Sequence, residues 1–253
     1  MDIVAEQRKF RRSSPSFVGR GIERLAHPLG KFAASMVPNG LVEKVLSGLD
    51  KAVARLPSID PADAPRGLDE ARELSGKIQR RAQALNGSTG AAAGFGGILT
   101  MSADIPTTIG VALANIRQTG RAYGYEGDGP EERMLRLRVL ELAATGGGDR
   151  REEIIAQIDA SLDPTGGLVP MENHDISPLL DQVIERVSRA LAFASAGRRA
   201  GMAVPIVGAL VGGAVNASFQ RDVSKAARFA YQERRLLSQS GPPERLSGPS
   251  ASV

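Results

Sequence analysis

Apolar positions recur along this chain at helical spacing and show no convincing alternation of the kind a strand requires. Leu41, Val42, Val45, Leu46, Leu49, Val53 and Leu56 share one stripe, which predicts an amphipathic helix ended by Pro57. The next segment, Pro57 to Pro65, is rich in proline and aspartate and predicts a loop. Leu68, Ala71, Leu74, Ile78, Ala82 and Leu85 then repeat the helical pattern as far as Asn86-Gly87, a dipeptide suited to a stop. Ser102 or Asp104 is placed to cap a further helix, with Pro106 in its first turn and Ile105, Ile109, Ala112, Leu113 and Ile116 facing inward to about Tyr123. Pro130, Glu131 and Glu132 open another helix, because proline and negative charge both suit an N-terminus, and Gly146-Gly147-Gly148 closes it.

A shorter helix over residues 150–162 stops at Asp163-Pro164, and a glycine- and proline-bounded loop runs to Asp175. Ser177-Pro178 opens a long helix carrying Leu179, Leu180, Val183, Ile184, Val187 and Leu191 on one face. A last helix over 217–237 turns Phe219, Val223, Ala226, Ala227, Ala230 and Leu237 toward the core. The pattern predicts an all-α fold, a single helical domain of about 8–10 helices over residues 16–237. Residues 1–15 are expected to form a mobile basic arm, and 238–253, rich in Pro, Gly and Ser, a disordered tail.

Two stretches, 82–103 and 200–220, carry no formal charge, and each has about the length of a bilayer-spanning helix, roughly 20 residues. The first holds too many polar groups and glycines to span a membrane; the second is borderline, with Pro205, four glycines, Asn216 and Ser218 among its apolar residues. On a helical wheel Gly87, Gly90, Gly94 and Gly97 fall on one face, and Gly201, Pro205, Gly208, Gly212 and Asn216 on another. A helix-interior glycine costs about 1 kcal/mol relative to alanine, so these faces predict a close crossing of two glycine-faced helices in the core. Peripheral or re-entrant contact with a membrane is the competing expectation for the same residues.

Composition narrows the chemistry. The 253 residues include no Cys and only two His, which excludes a disulfide scaffold, thiol catalysis and a histidine-rich metal site. The formal net charge of +4 is mild, and the arginine pairs are scattered among carboxylates without interleaved aromatics, so no nucleic-acid groove is expected. The first 15 residues carry charges of both signs with no apolar run behind them, so no signal peptide is expected and the expected location is cytoplasmic. No P-loop, dinucleotide fingerprint, nucleophile elbow or HExxH motif is present, and neither metal nor cofactor is expected. His174-Asp175 fits a solvated histidine beside a helix-capping aspartate. Asp104 fits a helix cap, or a buried carboxylate facing Asn216 or Arg221. A carrier of a small apolar ligand would instead enclose a cavity lined by Val204, Val211 and Leu113.

Asp104-Ile105-Pro106, followed by a helix, Tyr123-Gly124-Tyr125 and Pro130-Glu131-Glu132-Arg133, resembles the central signature of the EcsC family of bacterial proteins. Pro205 to Ala209, Gly212-Gly213, Asn216 and the closing helix from Ala227 to Arg234 resemble its C-terminal signature, although Tyr231-Gln232-Glu233-Arg234 differs from the Tyr-Arg start expected there. The resemblance spans about residues 40–237 and marks Asp104, Pro106, Tyr123, Gly124, Glu132, Arg133, Gly208, Gly212 and Asn216 as candidate functional positions. Its namesake is associated with an ABC-type exporter that affects secretion and competence. The resemblance therefore implies a non-catalytic accessory protein at or near the cytoplasmic face of the inner membrane, with a membrane protein such as an ABC transporter component, or lipid, as partner. Relatives labelled peptidases or hydrolases supply the alternative, an enzyme using Asp104 with Tyr123 or His174.

Overall fold

A computed structural model describes residues 2–13, 45, 56, 58–60, 63–95, 98–171, 175–199 and 205–239. Among them stand seven helices and no strand. In chain order they are α1 (Ile3–Arg11), α2 (Leu68–Phe95), α3 (Ile98–Ala122), α4 (Pro130–Ala144), α5 (Asp149–Ala160), α6 (Ser177–Arg199) and α7 (Pro205–Gln239). The all-α expectation holds. Of the expected 41–56 helix only Val45 and Leu56 are described; both are buried.

Helix α7 is the axis of the domain, touching α1, α2, α3, α4 and α6. The two segments expected as separate, the uncharged 200–220 stretch and the closing helix from 217, run together here as one helix about 52 Å long at 1.5 Å per residue. Nothing between Pro205 and Gln239 breaks it, and its middle is enclosed: Val215, Phe219, Val223, Ala226, Ala227, Ala230 and Tyr231 are all fully buried. A helix surrounded on all sides must bury polar positions too, and those are paired. Gln220 donates through Nε2 to the Thr108 carbonyl at 3.1 Å, and Asn115 Nδ2 donates to Ser224 Oγ at 2.8 Å and to Gln220 Oε1 at 3.2 Å. Thr108 Oγ1 donates to Asn86 Oδ1 at 3.2 Å, so a line of amides and hydroxyls binds α2, α3 and α7 together.

Several boundaries move. Helix α2 does not stop at Asn86-Gly87 but continues to Phe95, because Asn86 is buried against α3 and Gly87 is packed on α7. Helix α3 begins at Ile98, which places Asp104 and Pro106 in its interior rather than at its cap and first turn. A capping residue type is a signal only where the preceding residues leave the helix, and Ile98 to Met101 do not. At α6 the cap is Asp175, whose Oδ1 accepts from the Ser177 amide at 2.9 Å. Part of the expected mobile arm is α1, a helix capped by Asp2, with Ile3 and Gln7 buried and Phe10 stacked on Phe229 at 4.6 Å between ring centroids. Of its basic residues, Arg11 pairs with Asp159 at 2.8 Å and its guanidinium lies over Phe229. The expected tail falls outside the described residues from 240 onward.

The helices carrying the two glycine faces, α2 and α7, are neighbours and run antiparallel, with Gln79 meeting Arg228 and Gln83 meeting the Ala217 carbonyl. A Cβ at Gly87 would sit 3.7 Å from both Ala217 Cβ and the Gly213 carbonyl oxygen, an ordinary contact. Gly90, Gly94, Gly208 and Gly212 lie in these helices, and Gly97 and Gly201 lie outside the described residues. A glycine that packing does demand is Gly120, where a Cβ would stand 2.6 Å from Cζ of Tyr231, well inside van der Waals contact. Gly120→Ala is accordingly expected to destabilise the chain by about 1–3 kcal/mol through overpacking. Gly87→Ala is expected to be neutral or stabilising by up to about 1 kcal/mol. Urea denaturation followed by circular dichroism separates the two, and equal costs at both positions would refute this assignment.

Candidate functional site

The two halves of the signature meet at the end of α7. Helix α3 ends with Tyr123 as C-cap and Gly124 in the left-handed region at φ 85°. The Gly124 amide donates to the Arg121 carbonyl at 2.9 Å and the Tyr125 amide to Gly120 at 3.0 Å, a Schellman closure that only glycine adopts without strain. This turn brings Tyr123 to Gln232 of α7 and Tyr125 to Tyr231 and Arg234. Pro130 then starts α4 at N1, putting Glu132 in its first turn facing α7.

Glu132 is the centre of the arrangement. Its side chain is 8% exposed, and both oxygens are occupied: Tyr231 donates its hydroxyl to Oε1 at 2.8 Å, and Arg234 donates from Nη1 to Oε2 at 2.8 Å. Arg234, 6% exposed, also donates from Nε to the Gly166 carbonyl at 3.1 Å and lies 3.8 Å over the Tyr125 ring. Gly166 has φ 77°, and a Cβ there would run into the Arg234 carbonyl oxygen. The loop that presents it is shaped by Asp163, whose Oδ1 accepts from the Thr165 amide and hydroxyl at 2.7 Å. Those bonds, the hydroxyl's first, hold the Asp163 carboxyl below the ordinary range.

Tyr123 belongs to a second cluster. Its hydroxyl accepts from Gln232 Nε2 at 3.1 Å, and Gln232 Oε1 accepts from Gln7 Nε2 at 2.8 Å, which ties α1 into the core. Burial pushes the Tyr123 and Tyr125 phenols up, and Tyr231, buried and beside Glu132, well above the ordinary value. A third centre was not anticipated: Glu141, 1% exposed, meets Arg138, Arg150 and Arg186 where α4, α5 and α6 join. Its one sequence signal is a carboxylate between Leu140 and Leu142 on a helix.

The other candidates are dispersed. Asp104 and Tyr123 share one helical run, so nineteen residues at 1.5 Å each put about 28 Å between their backbones, too far apart to act as a catalytic pair. His174 lies outside the described residues. Asn216 is buried in α7 and engaged; Gly208 and Gly212 lie at its N-terminal end. Pro106 is buried within α3. Arg133 is the exception, an exposed side chain one step from Glu132 on α4, with no ion pair or hydrogen bond among the described residues. No cluster of His, Cys, Asp or Glu among the described residues is arranged to hold a metal ion.

What fold and site define is a helical-bundle protein whose signature residues build a buried, mutually satisfied polar clamp. Residues 3–236 match the EcsC protein family, and the chain belongs to it. It is 23% identical over 243 residues to "Uncharacterized protein YdbA" of Bacillus subtilis (strain 168), covering 88% of this chain and 80% of that protein. No solved structure matches.

Two measurements test the clamp. Glu132→Ala leaves Arg234 buried without its counter-charge and is expected to cost about 3–5 kcal/mol. Tyr231→Phe is expected to cost about 1–3 kcal/mol, and in combination the two should be clearly less than additive. Strict additivity in the double-mutant cycle would dissolve the clamp. The phenols give a pH prediction. With their folded values raised, the native state keeps protons that the unfolded chain releases near pH 10, so stability is full below about pH 10 and falls as pH rises beyond it. Native-state absorbance at 295 nm should therefore show no tyrosine titrating at its ordinary value, all three residues being covered.

Proposed function

We propose that this chain is a non-catalytic accessory protein working at or near the cytoplasmic face of the membrane, where it binds a membrane protein or lipid. The observation behind this is how the signature residues spend their chemistry. Glu132, Tyr231 and Arg234 are buried and committed to one another, and Tyr123 is committed to Gln232. A general base or nucleophile needs an open position beside it for a substrate, and a carboxylate with both oxygens taken by buried donors offers none. The signature then acts as scaffold, and the uncommitted charge of Arg133 lies on the surface, where a partner can reach it.

No helix among the described residues is long and apolar enough to cross a membrane, so the attachment proposed is peripheral. The family resemblance offers an ABC transporter component as one membrane-protein partner. In fractionated cells, most of the full-length chain is expected in the membrane pellet and is released by high salt or detergent. Recovery of nearly all of it as a soluble monomer at low salt would sink the proposal.

A further inference from the structure

Arg133 does not stand alone. It lies on the rim of a groove of about 560 Å³ between α3, α4 and α6, within the range of about 300–1,000 Å³ usual for small-molecule clefts. Arg136, one turn further along α4, and Arg117 on α3 share that rim. Both lean on a single carboxylate, Asp128, at 3.3 Å and 2.6 Å, and Arg136 also donates to the Gly127 carbonyl at 2.7 Å. Among the described lining residues, three guanidiniums against one carboxylate leave an excess of two positive charges, with two of the three held in place and the third free. Below them the groove is apolar: Leu113 and Leu137 form a buried floor, and Ile176, just before α6, and Leu180 within it line the wall.

We infer that this groove binds the phosphate-bearing headgroup of an anionic phospholipid, with the guanidiniums on the phosphate and the start of an acyl chain on the leucines. Guanidinium presents several donors in a plane that matches phosphate oxygens, and the fixed orientation of Arg117 and Arg136 lowers the cost of ordering them. A leucine floor directly below a cationic rim complements a molecule that is anionic at one end and hydrocarbon at the other. A protein partner fits less well, since stable protein interfaces engage roughly 20–30 residues a side and this groove is lined by nine. The inference rests on the membrane-facing role above and names the ligand class for it.

The test uses the full chain and sedimented vesicles, phosphatidylcholine alone against phosphatidylcholine with phosphatidylglycerol. Binding is expected on the phosphatidylglycerol vesicles and not on phosphatidylcholine alone. Arg133→Ala, exposed and uncommitted, should keep the wild-type melting curve and weaken vesicle binding about fivefold, the usual weight of one basic residue near an anionic surface. Leu180→Asp, which places a carboxylate in the groove wall, should weaken it further. Arg80→Ala, an exposed arginine on α2 away from the groove, should leave binding within about twofold. Equal losses for Arg80→Ala and Arg133→Ala would mean diffuse charge attraction and overturn the groove. Saturable binding of glycerol phosphate that Arg133→Ala abolishes, with no binding to vesicles, would overturn the lipid in favour of a free anion. A chain that fractionates with cell membranes but ignores these vesicles would overturn this inference while leaving the membrane role, now with a protein partner.

Discussion

Glu132 is a carboxylate removed from water, and the C-terminal half of the fold is arranged around that fact. A buried charge is tolerated only when its counter-charge and hydrogen-bond donors are fixed in place. Here the donors come from the last turns of α7, Tyr231 and Arg234, so α4 and α7 are held in one register. Arg234 in turn requires an acceptor and a face to lie on, which the Gly166 carbonyl and the Tyr125 ring supply. Gly120, Gly124 and Gly166 follow from the same demand: one admits the Tyr231 ring, one turns the chain to deliver Tyr125, and one lets the loop meet α7. Replacing any of these parts leaves another unsatisfied, and removing one partner of a buried ion pair is strongly destabilising.

The same physics separates scaffold from surface. Two groups of charges in this domain stand in contrast: those enclosed and paired, as at Glu132 and Glu141, and those at the rim of the groove between α3, α4 and α6. Glu132 and Arg133 are adjacent in sequence yet belong to different populations, because consecutive residues on a helix point about 100° apart. One short motif thus contains both a structural anchor and an exposed charge.

Much of the architecture was legible from periodicity. The stripes that predicted helices over 68–85, 130–145, 150–162, 177–191 and 217–237 correspond to α2, α4, α5, α6 and α7, because an amphipathic stripe of this length has no competing way to bury its apolar face. The starts and stops were less legible. Asn86-Gly87 and Ser102 to Pro106 have the composition of helix ends but lie inside α2 and α3; at the first, the contacts of Asn86 with Thr108 and of Gly87 with α7 outweigh local preference. The N-terminal residues looked too polar to order themselves, and alone they would be; α1 forms against α7, α5 and α2, which supply Phe229, Asp159 and Arg72.

The sequence by itself determined the helical class, the absence of thiol chemistry and the residues worth attention, since composition and the 3.6-residue repeat are local properties. Only the tertiary structure decided what those residues do. Whether a glycine is required depends on what stands opposite it, so Gly120 is crowded and Gly87 is not. Whether Glu132 and Arg133 are anchor or contact depends on which side of the bundle they face. Tyr231 and Arg234 lie about a hundred positions from Glu132, and a pairing across that separation leaves no mark in local pattern.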